Sequence, residues 1–234
     1  MSDNRDPAFV FPPPPSSSVA VFGRCSRFPV RRIFCVGRNY AAHAREMGRD
    51  PDREPPFFFF KPSDTVVDND AVVPYPPETT DFQYEIELVV AIGKGGFEIL
   101  PEQAQHHVFG YAVGIDLTRR DLQLQARAQG RPWDWGKSFD LSAPCAPLHT
   151  VEQVGHLTQG RIWLEVNGQT KQEADISELI WSVPEIISIA SRSMHLKPGD
   201  LIYTGTPAGV GPVVRGDVIR GGIDRLGSIR VSVS

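Results

Sequence analysis

At 234 residues the chain is long enough for one large domain with a sizeable buried core. Its 24 basic and 28 acidic residues are spread along the chain and give a net charge of −4, which excludes the basic footprint of a nucleic-acid binder. No apolar run approaches the roughly 20 residues of a membrane span, and the polar, Pro-rich start MSDNRDPAFVFPPPPSSS lacks a secretory core, so a cytoplasmic protein is expected. Cys25, Cys35 and Cys145 share no metal-type spacing and are read as reduced packing residues.

Residues 1–31 read as an arm, extended where the prolines fall. RIFCVGRNY is a strand running into a Gly turn, and AAHAREMG is a short helix closed by Gly48. The loop RDPDREPP leads to FFFFKP, a short strand halted by Pro62, and loops with short extended pieces follow to residue 80. In DFQYEIELVVAIG, Glu85 and Glu87 stand two apart and share one face of a strand, while Tyr84, Ile86 and Leu88 take the other. The run Val89–Ile92 is apolar on both faces, the pattern of a strand covered on both sides. YAVGID is another strand. LTRRDLQLQARAQGRP is a helix with a Thr118/Asp121 capping box and a stop at Gly130 and Pro132. RIWLEVNGQ turns at Asn167-Gly168 as a hairpin, ELIWSVPEIISIASRSMHL is the second substantial helix, and the C-terminal segment from Lys197 is a series of short strands with Gly-rich turns. The fold class is β-dominated α/β.

Two solvated glutamates at a strand end would account for Glu85 and Glu87, but Asp116, at the end of YAVGID, adds a third carboxylate. Asp116 could cap the following helix; with Thr118 better placed for that task, three convergent carboxylates would raise one another's pKa values unless a divalent cation resolved the conflict. Hard oxygen ligands select Mg²⁺, Mn²⁺ or Ca²⁺ over Zn²⁺. His43 and Glu46, three apart on a helix, share a face; they form either a surface pair or a dyad able to deprotonate water. Lys137, between aromatics and a Gly in GRPWDWGKSFD, is either a loop lysine or a site cation. YTGTPAGVG is a Gly-rich turn with hydroxyls at Thr204 and Thr206, and it lacks the Lys of a phosphate loop.

Taken together and in order, VGRNYAAHAREMG, FFKP, YEIELVVAIGKGG, GYAVGIDLTRRDLQ, GRPWDWGKSFD and PGDLIYTGTPAGVG resemble the fumarylacetoacetate hydrolase family from about residue 32 to the C-terminus, nearest its fumarylpyruvate hydrolase and acylpyruvase branch. The resemblance implies a single catalytic domain over 32–234 with the family's mixed β-roll, a homodimer, and an Mg²⁺ or Mn²⁺ site at Glu85, Glu87 and Asp116. It places His43 and Glu46 on the water-activating dyad within an N-terminal portion, 32–70, where the Pro- and charge-rich segment EMGRDPDREPP reads, by its composition, as a lid that closes on ligand binding. Lys137 falls beside the metal, and Arg120, Gln123, Thr206 and Lys61 fall on substrate contacts. Gln83 departs from the pattern, since many relatives of this type carry His there. The implied activity is hydrolysis of the C–C bond of a 2,4-diketo acid, fumarylpyruvate giving fumarate and pyruvate in gentisate-type catabolism. Decarboxylation, isomerisation or hydration within the same family, and a catalytically silent binding protein, are the alternatives.

Overall fold

The computed structural model describes residues 9–46 and 54–234, with residues 44–46 described by backbone alone. The proposed helix stop at Gly48 and residues 47–53 of the proposed lid lie outside the described residues. Two large sheets carry the fold. The six-stranded sheet runs His149–Thr150, Val108–Ile115, Ile86–Ile92, Asp200–Tyr203, Arg32–Gly37, Phe57–Lys61, and the five-stranded sheet runs Gln169–Asp175, Arg161–Val166, Val218–Ile223, Gly227–Val233, Ala71–Val73. Pairing is antiparallel except where Asp200–Tyr203 meets Arg32–Gly37 and Gly227–Val233 meets Ala71–Val73. This mixed, β-dominated architecture is the one read from the sequence.

Side-chain alternation builds two cores from one sheet. Ile86, Leu88, Val90 and Ile92 point into a large core shared with Ile162, Leu164, Ile219 and Ile229 of the five-stranded sheet. Val89 and Ala91, with Ile33, Cys35, Leu201 and Tyr203, point the other way into a smaller core. That second core is closed by Val19 and Phe28, which belong to a hairpin of strands Ser18–Ala20 and Arg27–Pro29, so the end of the N-terminal arm packs on the sheet. Every residue of Ile86–Ile92 is buried, as its unbroken apolar run requires. Cys35 and Cys145 are buried packing residues as expected; Cys25 is exposed, which corrects its reading as one.

Two helix starts differ from expectation. Arg120–Ala128 begins without a side-chain cap, because Thr118 lies in a short strand paired with Gln83; the Arg120 N–H is taken instead by the Asp81 carbonyl at 2.8 Å. The helix expected from Glu178 begins at Val183, where Ser182 and Glu185 form the capping box, while Asp175 and Glu178 cap a separate 3-10 turn over Ile176–Glu178. The Asn167-Gly168 hairpin forms as read, with both residues at positive φ.

Gly114 shows how tightly the second core is packed. A Cβ there would lie 2.4 Å from Val89 Cγ2 and 2.7 Å from the Tyr203 ring, both deep in the interior. Gly114→Ala is expected to destabilise the fold by about 1–3 kcal/mol through overpacking. Urea unfolding should show a lowered midpoint at unchanged slope, and a parental midpoint would mean that Val89 and the Tyr203 ring move aside without strain.

Candidate active site

The polar site is the continuation of the second core at the end of the six-stranded sheet. On the face that carries Val89 and Ala91 the next position back along the strand is Glu87, and Glu85 immediately precedes the strand. Register sets the rest: Glu87 lies opposite Gly114, and the Asp116 N–H donates to the Glu85 carbonyl at 2.8 Å, which brings the third carboxylate beside the first. Glu85, Glu87 and Asp116 each present an oxygen within 4.8 Å of the others, and all three are buried.

Burial of that much negative charge is compensated unevenly. Lys61, the last residue of the edge strand Phe57–Lys61, holds Asp116 Oδ1 at 2.8 Å and also donates to the carbonyls of Leu117 and Lys137; both partners of the ion pair are fully buried. Lys137, at the end of the one-turn helix Asp134–Lys137, donates to Glu85 Oε2 at 2.8 Å, Asp116 Oδ2 at 2.7 Å and Thr118 Oγ1 at 2.7 Å. Its burial disfavours charge, but Asp116 and Glu85 outweigh that and raise its pKa above the ordinary lysine value. Arg120 pairs with Glu85 Oε1. Burial opposes ionisation of Glu85, yet Lys137, Arg120 and His43 prevail and hold its carboxyl well below the usual range.

Glu87 has no such partner. Its Oε2 accepts the Gly205 N–H at 2.7 Å, while burial, Asp116 and Glu85 push its pKa well up. Gly205 sits at φ +102, and a Cβ there would lie 2.7 Å from Asn39 Cβ, so the turn in YTGTPAGVG needs glycine to bring its amide to the carboxylate. The residues fit a hard divalent cation on two observations. The Lys137 ammonium already stands as a cation between two of the three carboxylates, and the third, Glu87, has no basic side-chain partner among the described residues and accepts only the Gly205 N–H.

The structure gathers the remaining residues singled out from the sequence. His43, Glu85, Glu87, Gln123, Lys137 and Thr206 line one pocket, with Arg120 in its wall and Asp116 and Lys61 beneath. His43 is buried on the helix Ala41–Glu46; the helix backbone reaches Glu46, whose side chain lies outside the described residues. Gln83, the departure from the family pattern, accepts from Arg120 Nε at 2.9 Å and donates to Asp81 at 2.8 Å, so it steers a guanidinium.

Sequence reasoning passed over four contributors. Asn39 ties three segments together, its amide donating to the carbonyls of Thr204 and Trp181 and accepting the Trp181 N–H, immediately before the helix that carries His43. Gln172, fully buried, accepts the Ile86 N–H and donates to Thr206 Oγ1 and the Pro207 carbonyl, which fixes the Gly-rich turn to the carboxylate strand. Nothing in the local spacing of either residue marks it. Trp133 packs against Phe57 and Phe59 to make an aromatic wall, and Arg127 joins the pocket from the helix Arg120–Ala128. Arg127 was detectable, since it stands seven residues, two helical turns, beyond Arg120.

A family model described as fumarylacetoacetate hydrolase C-terminal matches residues 32–234. The chain is 50% identical over 189 residues to a fumarylpyruvate hydrolase of a Ralstonia species, covering 80% of this chain and 98% of that protein. It is 40% identical to a mitochondrial oxaloacetate decarboxylase of Dictyostelium discoideum, covering 84% and 90%. Among solved structures, that of fumarylpyruvate hydrolase from Pseudomonas aeruginosa in complex with Mn²⁺ and pyruvate superposes with a TM-score of 0.95 at 55% identity, covering 97% of this chain and 99% of that one. The matched span contains every site residue named above, and the chain belongs to the fumarylacetoacetate hydrolase family.

Proposed function

We propose that this protein hydrolyses the C–C bond of a 2,4-diketo acid, with fumarylpyruvate as substrate and fumarate and pyruvate as products. The observation that carries the reading is the convergence of three buried carboxylates and His43 on one pocket. Support comes from the relatives of 50 and 55% identity named fumarylpyruvate hydrolase, one of them solved with Mn²⁺ and pyruvate. Glu85, Glu87 and Asp116 would hold Mn²⁺ or Mg²⁺. That ion, when bound, supplies a Lewis acid for the carboxylate and 2-keto oxygens of the pyruvyl end.

The chain's own groups supply the remaining chemistry. His43 takes a proton from a water, and the water oxygen bonds to the carbonyl carbon on the acyl side. Collapse of that adduct breaks the C–C bond; the electron pair passes into the pyruvyl fragment as its enolate, which takes a proton at carbon to become pyruvate. Lys137, kept cationic by its carboxylate neighbours, meets the negative charge that develops there. Glu46, one helical turn from His43, is assigned the orienting of the imidazole and the stabilising of its protonated form. Arg120 and its partner Gln123 define the wall against which the substrate lies, and Thr206, held by Gln172, closes the opposite side. On the resemblance alone we extend the reading to a cytoplasmic homodimer in gentisate-type aromatic catabolism. No helix among the described residues is long and apolar enough to cross a membrane.

The oxaloacetate decarboxylase of 40% identity makes decarboxylation the reading to separate from hydrolysis. His43→Ala should lower acylpyruvate hydrolysis by about 10² or more, the usual worth of a positioned general base, while Mn²⁺ stays bound. Oxaloacetate decarboxylation, which needs no attacking water, should fall less in the same variant. Initial rates on both substrates at saturating Mn²⁺ decide this, and parental hydrolysis in His43→Ala would reduce the helix to a cover over the pocket.

Metal binding should also release a proton. Because the pKa of Glu87 is raised, the metal-free protein holds a proton on it at pH values below that raised pKa, and a cation must displace that proton. Affinity for Mn²⁺ is therefore expected to rise with pH through this range. Calorimetric titrations in two buffers of different ionisation enthalpy, repeated across pH, should return a proton release on metal binding that is largest at low pH and fades as pH rises. A release of zero would show that Glu87 is already ionised.

A further inference from the structure

One wall of the pocket is a single face of the helix Arg120–Ala128. Arg120, Gln123, Leu124 and Arg127 follow one another at spacings of three, four and seven from the first, and all four line the pocket. With a rise of about 1.5 Å per residue, Arg127 lies about 10 Å along the axis from Arg120. The two guanidiniums are in different states. Arg120 is buried and committed: Nε donates to Gln83, one terminal nitrogen to Gln123 Oε1 at 2.5 Å, and the other to Glu85. Arg127 is half-buried, and its guanidinium makes no hydrogen bond or ion pair among the described residues.

Between the carboxylate end and Arg127 the wall is apolar, with Leu124 on the helix and Phe59 and Trp133, 5.8 Å apart between ring centroids, beside it. The pocket thus combines a carboxylate centre suited to a cation, an apolar aromatic wall, and, about two helical turns along the helix from Arg120, an uncommitted planar cation. A half-buried guanidinium without a partner is ready to donate to a carboxylate, which accepts two parallel N–H···O bonds from it. An extended seven-carbon diacid with keto groups at positions 2 and 4 spans about 8 Å between its terminal carboxyl carbons, at about 1.3 Å of advance per bond. That length is of the same order as the roughly 10 Å axial separation of Arg120, which holds Glu85, from Arg127.

Resting on the hydrolase reading above, we propose that Arg127 is the residue that selects the acyl group: its guanidinium binds the distal carboxylate of a dicarboxylic 2,4-diketo acid. Arg120, whose donors are spent on Glu85, Gln83 and Gln123, positions the carboxylate centre and does not read the acyl end. Monocarboxylic acylpyruvates bind without this contact and are the poorer substrates. The role is recognition, because Arg127 stands about two helical turns from Arg120 and the carboxylate centre that Arg120 holds.

The test pairs Arg127→Met with Arg127→Lys in the full chain. In Arg127→Met the ratio of kcat/KM for fumarylpyruvate to that for acetylpyruvate should fall by about 10- to 10²-fold, the worth of a charge-assisted hydrogen-bonded pair, with most of the change in KM. Arg127→Lys should recover part of the preference. Calorimetry on the Mn²⁺-loaded protein gives a second arm that needs no turnover: fumarate should bind the Met variant about 10-fold or more weakly, and pyruvate should lose much less. An unchanged substrate ratio, or equal losses on both substrates and on both products, would overturn the assignment. A parent protein that hydrolyses neither acylpyruvate refutes the hydrolase reading, and the fumarate and pyruvate titrations then decide the role of Arg127 by themselves.

Discussion

Three carboxylates buried within ligand reach of one another constrain everything around them, because a protein interior does not tolerate uncompensated charge. Lys61, Lys137 and Arg120 answer them in number, yet they converge on Glu85 and Asp116 and leave Glu87 with a backbone amide. The imbalance is the functional fact. A cluster paired residue for residue would be an inert set of salt bridges, whereas this one leaves one carboxylate without a basic partner, to which a cation can bind in place of a proton. Each basic partner comes from a separate element: Lys61 from an edge strand, Lys137 from a one-turn helix, Arg120 from the start of a longer helix. The charge cluster therefore pins two helical segments, together with the edge strand, to the end of one sheet.

The sheet makes this placement rigid by using the same strand twice. The even-numbered side chains from Ile86 to Ile92 are committed to the core between the sheets, and the odd-numbered ones begin as Glu85 and Glu87 and continue as Val89 and Ala91 in the second core. A one-residue slip in register would bury the glutamates among Ile162 and Leu164 and expel the apolar set, so the hydrophobic pattern itself holds the carboxylates in place. Gly114 and Gly205 work from the other side by allowing backbone and rings to approach without a Cβ in the way.

What was legible in the sequence follows from the range of the forces involved. The i, i+2 spacing of Glu85 and Glu87, the Asn167-Gly168 turn and the apolar strand express local geometry, and each appears in the structure as read. Residue type and position joined Asp116 to the glutamates as a third carboxylate and singled out Lys137 and Thr206 separately; the family resemblance brought these together in one site and added Lys61. Capping was harder to read: Thr118 looked like a cap but is held in a strand by pairing with Gln83 and bonded by Lys137, a competition between local preference and tertiary contact. Asn39 and Gln172 were missed because their partners lie more than 30 residues away and their side-chain amides carry no pattern of their own.

The pocket divides its tasks between two kinds of element. The carboxylates rise from strands woven into both cores, where any change propagates through packed neighbours, whereas the outer wall is one face of a nine-residue helix, Arg120–Ala128, with its opposite face toward solvent. Positions 124 and 127 can be exchanged with little demand on the rest of the molecule. An ancestral chain of this design could thus try new acyl groups by drifting along one helix stripe while its reaction centre stayed under strict structural selection. Diversification in such a lineage would be written on the helix and conservation on the sheet.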